Sequence, residues 1–315
     1  MIKKTLYFGN PAYLSSKNEQ MVIKKSSENE SGVAEEISVP IEDIGIVVID
    51  HFGVTISQYL ISLLIENNVS VIICNKSHLP NGLFLNLDGN TVQSEIFKAQ
   101  IKTSRPLLKN LWSQTVTAKI INQAGLLKLQ NKPADNLLSL IEKIKSGDTS
   151  NVEARASVYY WRNLFPTEMN FIRDRYGEPP NNLLNYGYAV LRAIVARGLV
   201  ASGLLPTLGI HHRNKYNAYC LADDVMEPYR PFVDLIVCNI LKSGEDYTEI
   251  TTNLKKKLLD IATADIFIDG ERSPLMVGLQ RTTSSLANCY GGGLKKIIYP
   301  GFAPESILRK KRKKY

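Results

Sequence analysis

Up to about residue 90 the apolar positions come in short β-branched runs bounded by turn residues, which predicts strands. Lys4–Phe8 and residues 21–25 flank a turn-rich stretch, 9–19, and predict a hairpin. Residues 37–39, Ile44–Ile49 and 69–74 predict three further strands. One helix interrupts them: residues 57–67 place Leu60, Ile61, Leu63, Leu64 and Ile65 on a broad apolar face. Asn81-Gly82 signals a turn, followed by another apolar run at 83–87. Beyond Ser94 the period changes to that of helices, predicted over 94–104, 108–130, 135–145, 151–164, 182–202, 221–242, 246–261 and 274–288. Asn131-Lys132-Pro133, Ser146-Gly147-Asp148 and residues 177–180 separate them. The fold class expected is α+β: a small β-rich N-terminal domain, 1–90, then a larger all-α domain, 91–302, and a basic tail, 303–315.

Composition narrows the class. With 44% hydrophobic and 22% charged residues over 315 positions, the chain has ample material for a core, and wholesale disorder is excluded. No unbroken apolar run approaches the roughly 18 residues of a membrane span, so no membrane association is expected. Cys74, Cys220, Cys238 and Cys289 lie far apart with no C-x-x-C, which fits unpaired thiols in a reducing cytoplasm.

Charge changes the picture locally. Six of the 38 basic residues are consecutive, Arg309 to Lys314; without them the body has 32 basic against 30 acidic side chains. Yet residues 96–134 contain no Asp or Glu and seven cations: Lys98, Lys102, Arg105, Lys109, Lys119, Lys128 and Lys132. The first four follow i, i+4, i+7, i+11, one stripe of a helix that Pro106 would kink. A stripe of one sign suits a phosphate backbone, since each neutralised phosphate releases counterions. An ordinary solvated face is the alternative.

Candidate chemistry is densest at 209–230, which contains His211-His212-Arg213-Asn214-Lys215 and then Asp223-Asp224-Val225-Met226-Glu227-Pro228-Tyr229-Arg230-Pro231. On a helix Asp224 and Glu227, or Asp223 and Glu227, share a face. A histidine followed by a carboxylate pair can hold a hard or borderline divalent cation. Equally, Asp223 could cap the helix and Glu227 pair with Arg230. Glu153 opens a helix among Arg155 and Arg162, beside Tyr159, Tyr160 and Trp161, where it could simply complement the helix dipole. H-E-x-x-H, G-x-S-x-G, P-loop and G-x-G-x-x-G motifs are absent.

The order of these motifs is specific in combination. A helix-borne Glu followed by Ala and an aromatic run, then Gly-x-x-His, then Asp-x-x-Glu-Pro-x-Arg-Pro resembles the CRISPR-associated integrase-endonuclease of spacer acquisition, the first of the universal Cas proteins. Val39-Pro40-Ile41-Glu42-Asp43-Ile44 and Asn185-Tyr186-Gly187-Tyr188-Ala189-Val190-Leu191 support the resemblance, which covers residues 1 to about 302. His-His-Arg-Asn before Asp-Asp-Val-Met-Glu-Pro-Tyr-Arg-Pro looks most like the branch that travels with Cas9-type effectors.

The resemblance implies that Glu153, His212 and Glu227 are catalytic and hold Mg²⁺ or Mn²⁺. Asp224 falls on a nearby acidic position, as a supporting group or an alternative ligand. Gly209 sets the offset that selects His212, with His211 pointing away, towards the protein or a DNA phosphate, as a candidate supporting group. The implied reaction is transesterification: the 3′-hydroxyl of a captured DNA fragment attacks a phosphodiester of the CRISPR repeat, with DNA cleavage as the related activity. The implied partners are double-stranded DNA, a second copy of the chain in a homodimer, and a small ferredoxin-like second universal Cas protein bridging two dimers. Lys98, Lys102, Arg105, Lys109, Arg155, Arg162, Arg213 and Lys215 are the candidate DNA contacts. A non-catalytic DNA-binding scaffold and a stand-alone metal nuclease for branched DNA are the rival readings.

Overall fold

A computed structural model describes residues 3–25, 36–86 and 89–302; the basic tail at 309–314 therefore lies outside the described residues. The chain divides into two compact units, Met1–Thr91 and Val92–Tyr315.

The first unit contains β1 (Lys4–Phe8), β2 (Ala12–Lys17), β3 (Gln20–Lys25), β4 (Glu36–Pro40), β5 (Ile44–Ile49), β6 (Val54–Ile56), helix α1 (Gln58–Glu66), β7 (Ser70–Cys74) and β8 (Pro80–Phe84). They form two four-stranded sheets, ordered β1-β5-β7-β8 and β4-β3-β2-β6. β5 is buried along its whole length, as expected for a central strand between two parallel neighbours. Leu14, Met21, Ile44, Val47, Leu60, Leu64 and Val71 make the core between the sheets and α1. Ser57 caps α1 by accepting the Leu60 N–H.

Two expectations are corrected here. β1 does not form a hairpin with residues 21–25; it runs parallel to β5, with Tyr7 opposite Val48. The hairpin partner of β3 is β2, inside the stretch read as a turn, with Leu14 opposite Ile23. Only Ala12 and Leu14 of β2 are buried, so its pattern is too polar to announce a strand. The actual turn is Asn18-Glu19, both at positive φ, as a two-residue hairpin requires. Asn81-Gly82 is likewise strand: Gly82 lies opposite Ile73 in β8.

The second unit is built from α2 (Gln93–Ile101), α3 (Arg105–Leu129), α4 (Asp135–Ile141), α5 (Val152–Leu164), α6 (Asn181–Ala201), α7 (Cys220–Met226), α8 (Arg230–Lys242), α9 (Thr252–Leu259), the strands β9 (Asp265–Ile268) and β10 (Glu271–Pro274), and α10 (Leu275–Tyr290). α6 is long and apolar enough to cross a membrane, but 72% of that stretch is buried inside the unit.

This unit is therefore not all-α. β9 and β10 pair antiparallel across Asp269-Gly270, both at positive φ, a short hairpin in the stretch left unassigned between the helices expected at 246–261 and 274–288. The helix expected over 221–242 breaks at its prolines into α7, a 3-10 turn at Glu227–Tyr229, and α8. The cationic stripe also runs over two helices rather than one. α2 ends at Ile101, and Ser104 caps α3 with Pro106 in its first turn.

Candidate active site

Three segments converge on one buried cation. α3 turns Trp112, Thr115, Val116, Lys119 and Gln123 inward. Lys119 is only 8% exposed, and its Nζ lies 2.6 Å from Glu153 Oε1 and 2.6 Å from Glu227 Oε2. Burial pushes the ammonium pKa down, but the two carboxylates outweigh it and hold the group above its ordinary value.

Glu153 reaches this point because its helix does not need it as a cap. Asp148, buried in the preceding 3-10 turn, accepts the N–H groups of Val152 and Glu153, both at 2.9 Å. That leaves the Glu153 carboxylate to face Lys119, from which it accepts a hydrogen bond.

Glu227 sits in the proline-containing turn between α7 and α8 and is 5% exposed. Its Oε1 is paired with Arg230 Nη2 at 3.0 Å, so the pairing weighed from sequence does form. Its Oε2 touches Lys119 off the hydrogen-bonding direction and is a buried oxygen with no hydrogen bond. Burial raises the Glu227 pKa, yet Arg230, Lys119 and His212 together bring it below the usual carboxylate range. The group is ionised at neutral pH.

The histidine loop hangs on Asp224, which is fully buried. Asp224 accepts the backbone N–H of His211 at 2.8 Å, and its Oδ1 lies 2.5 Å from His212 Nδ1. A carboxylate only accepts, so Nδ1 carries the proton and Nε2 of the neutral ring keeps its lone pair. This bond raises the His212 pKa above its ordinary value; burial opposes it, and Asp224, Glu227 and Glu153 add to the rise. Gly209 lets the loop close: a Cβ there would stand 2.3 Å from the His212 carbonyl oxygen and 2.9 Å from Asp224 Oδ2. His211 turns elsewhere and stacks on Trp112, centroids 4.3 Å apart and planes 5° apart. Asp223 is not a cap. It accepts from Arg192 Nε and Asn217 Nδ2, both at 2.6 Å, tying the loop to α6.

Glu153 and Glu227 are thus brought together, with His212 held beside Asp224. Among the described residues, no three His, Cys, Asp or Glu side chains are close enough to form a ready metal cluster. The ammonium of Lys119 stands between the two carboxylates instead.

The exposed cations divide. Lys98, Lys102, Arg105, Lys109, Arg155, Arg162, Arg213 and Lys215 are all on the surface. Arg105, Lys109 and Arg213 join Trp112 and His211 in lining a cleft of about 350 Å³. Two cations of the acid-free segment are used internally. Lys119 is one; Lys132 donates to the Leu164 and Phe165 carbonyls at the end of α5. Sequence reasoning counted Lys119 only as a basic residue. Its signal was position: one turn after Val116 and one before Gln123, on the apolar face of α3.

The profile of the family described as CRISPR associated protein Cas1 matches residues 6–269. A CRISPR-associated endonuclease Cas1 of Neisseria meningitidis serogroup C is 34% identical over 307 residues, covering 96% of this chain and 98% of the relative. Among solved structures, a casposase bound to integration product superposes with a TM-score of 0.79 at 19% identity, over 100% of this chain and 99% of that one. A Cas6-RT-Cas1–Cas2 complex gives a TM-score of 0.67 at 18% identity, over 93% of this chain and 35% of that one. A sequence match of this extent, on a fold shared from end to end, places the chain in the CRISPR associated protein Cas1 family.

Proposed function

We propose that this protein joins the 3′-hydroxyl ends of a captured DNA fragment to the CRISPR repeat by transesterification, at a divalent metal held by Glu153, His212 and Glu227. Strand cleavage is the same displacement with water as the nucleophile. The observation that carries this reading is the meeting of Glu153 and Glu227, from separate elements, around a single cation position.

The donor set fits Mg²⁺ or Mn²⁺. Two carboxylates and one imidazole suit a hard or borderline ion. Glu227 Oε2 is buried without a hydrogen bond, and Asp224 holds His212 through Nδ1, the orientation typical of a ligating histidine. Both Asp224 oxygens serve the histidine loop, which favours Glu227 over Asp224 as the third ligand. Bound there, the metal would stabilise charge developing on the phosphate and the leaving oxygen. Arg230 keeps Glu227 ionised. Arg105, Lys109 and Arg213 offer the cleft to backbone phosphates, and Lys98, Lys102, Arg155, Arg162 and Lys215 extend the contact. Such contacts hold the attacking hydroxyl in line, where positioning supplies several kcal/mol.

The partners follow the same reading: double-stranded DNA, a second copy in a homodimer, and the ferredoxin-like Cas2. A casposase solved with its integration product and a Cas1–Cas2 complex of like fold support DNA and Cas2. The four free cysteines fit a cytoplasmic setting.

The test is joining of a 3′-hydroxyl fragment to a repeat-bearing plasmid, with Mn²⁺, Mg²⁺ or EDTA. Removing a group behind a metal ligand already costs about 10- to 100-fold. Glu153→Gln, His212→Ala and Glu227→Gln should therefore each lower joining at least about 100-fold while duplex binding persists. Joining at wild-type rates in two of the three, or in EDTA, sinks the assignment. Binding without any chemistry indicates a scaffold, and cleavage without joining a stand-alone nuclease.

A further inference from the structure

Lys119 is a buried member of this site to which the proposed metal ligation and DNA contacts give no role. It is held by charge from two sides, 2.6 Å from Glu153 Oε1 and from Glu227 Oε2, and only the first contact is a hydrogen bond. One turn along α3, Gln123 is 3% exposed, and its Oε1 is buried with no hydrogen-bond partner. Lys119 and Gln123 line the same cavity, about 130 Å³, together with Asp234, Arg173, Arg230 and Tyr188. Asp234 is 1% exposed, and its two hydrogen bonds come from the neutral hydroxyls of Tyr160 and Tyr188. Arg173 and Arg230 are the competing cations: Arg173 is tied to Asn181 and Asn185 at 2.8 Å each, and Arg230 to Glu227 Oε1 at 3.0 Å.

We propose that Lys119 is a two-position counter-cation: it holds Glu153 and Glu227 together when no divalent ion is bound, and withdraws into the cavity beside Gln123 and Asp234 when one binds. The proposal rests on the assignment of Glu153 and Glu227 as metal ligands. Carboxylates removed from water need a compensating charge, and Lys119 supplies it within the chain. Side chains at i and i+4 have Cβ atoms about 5–6 Å apart, so a flexible lysine stem reaches the Gln123 acceptor by turning about its own bonds. The cavity then offers the ammonium an unused amide oxygen and a buried carboxylate. Because the metal competes with an ammonium already in place, the apparent affinity is the intrinsic affinity multiplied by the fraction of molecules in which Lys119 has withdrawn.

The experiment measures Mn²⁺ binding by calorimetry and thermal melting in EDTA, on the full chain without DNA. Lys119→Met removes the competitor. It should bind Mn²⁺ about tenfold tighter or more. Its melting temperature in EDTA should fall and should recover with Mn²⁺. Gln123→Leu removes the acceptor of the withdrawn position, so Mn²⁺ binding should weaken several-fold with no fall in the melting temperature in EDTA. Glu227→Gln is the control for the site. If wild type binds Mn²⁺ in a manner that Glu227→Gln abolishes, and Lys119→Met binds equally or more weakly, Lys119 is a fixed ion pair and the proposal is overturned while the metal site stands. If Lys119→Met does not fold, Gln123→Leu decides, and an unchanged Mn²⁺ affinity overturns the proposal. If wild type has no Mn²⁺ site sensitive to Glu227→Gln, the metal assignment fails and this proposal with it.

Discussion

Asp234 carries a charge in the interior of the second unit. Burial pushes its pKa up to about 6; hydrogen bonds from Tyr160 and Tyr188 and the guanidinium groups of Arg230 and Arg173 oppose the rise. Both cations also lie over the Tyr188 ring, at 4.8 and 5.4 Å. A folded-state pKa above the unfolded value of about 3.9 means that the folded protein holds this proton more tightly. The stability so contributed is complete below about pH 4 and is lost as pH rises through about 6. About two pKa units correspond to about 3 kcal/mol. Asp234→Asn removes the titration, so wild-type stability minus that of the variant should fall by that order between pH 4 and 6.5 and then level off. Urea unfolding at half-unit steps measures it, and parallel curves would refute the buried-carboxylate account. Sequence spacing leaves other residue-scale facts open. Asp224 and Glu227 are spaced i, i+3, but α7 ends between them, and their different tasks depend on a loop folding back from Gly209. Which carboxylate faces Lys119 and which holds the histidine loop is a tertiary fact.

At the scale of elements, close approach matters more than propensity. Gly187 lies on the buried side of α6, where an added Cβ would stand 2.4 Å from Val233 Cγ1 of α8 and 3.5 Å from Leu258 Cδ2 of α9. Val233 is fully buried and β-branched, with little rotamer freedom to give way. Gly187→Ala gains about 1 kcal/mol of helix propensity but overpacks a site where such insertions cost about 1–3 kcal/mol. The substitution should be net destabilising, by up to about 2 kcal/mol in urea unfolding; a more stable variant would show that α6 and α8 separate freely. Helices with long amphipathic periods, such as α3, α5, α6 and α10, were legible because many residues vote for one face. β2 and the β9–β10 hairpin were not: one or two buried residues per strand are too few to reveal a period. The α7–α8 break was visible in Pro228 and Pro231. Glu153 was legible as a first-turn acid, but its release from capping depends on Asp148, whose role appears only once the turn at 146–148 has formed.

For the whole molecule, the distribution of charge counts for more than the net value of +8. The sequence has two runs of cations: Lys98, Lys102, Arg105 and Lys109, exposed from α2 to the start of α3, and the six consecutive cations at 309–314. Lys109 and Arg105 also line the cleft beside His211, the neighbour of His212 in the chain. The tail cations are not balanced by any nearby acid in the sequence after Glu305. Salt titration of duplex binding separates the two regions, because the slope of log K against log salt falls by about 0.9 for each phosphate that the protein no longer neutralises. If the proposed DNA path is right, Lys102→Glu combined with Arg105→Glu should reduce the slope by about 1.8 and impair joining. Deleting 303–315 should reduce the slope as well and weaken binding evenly across sequences, while joining at low salt persists. A tail deletion that leaves the slope unchanged makes the tail a bystander. A double reversal that leaves it unchanged removes α2 and α3 from the DNA path and returns their missing acids to an ordinary solvated face.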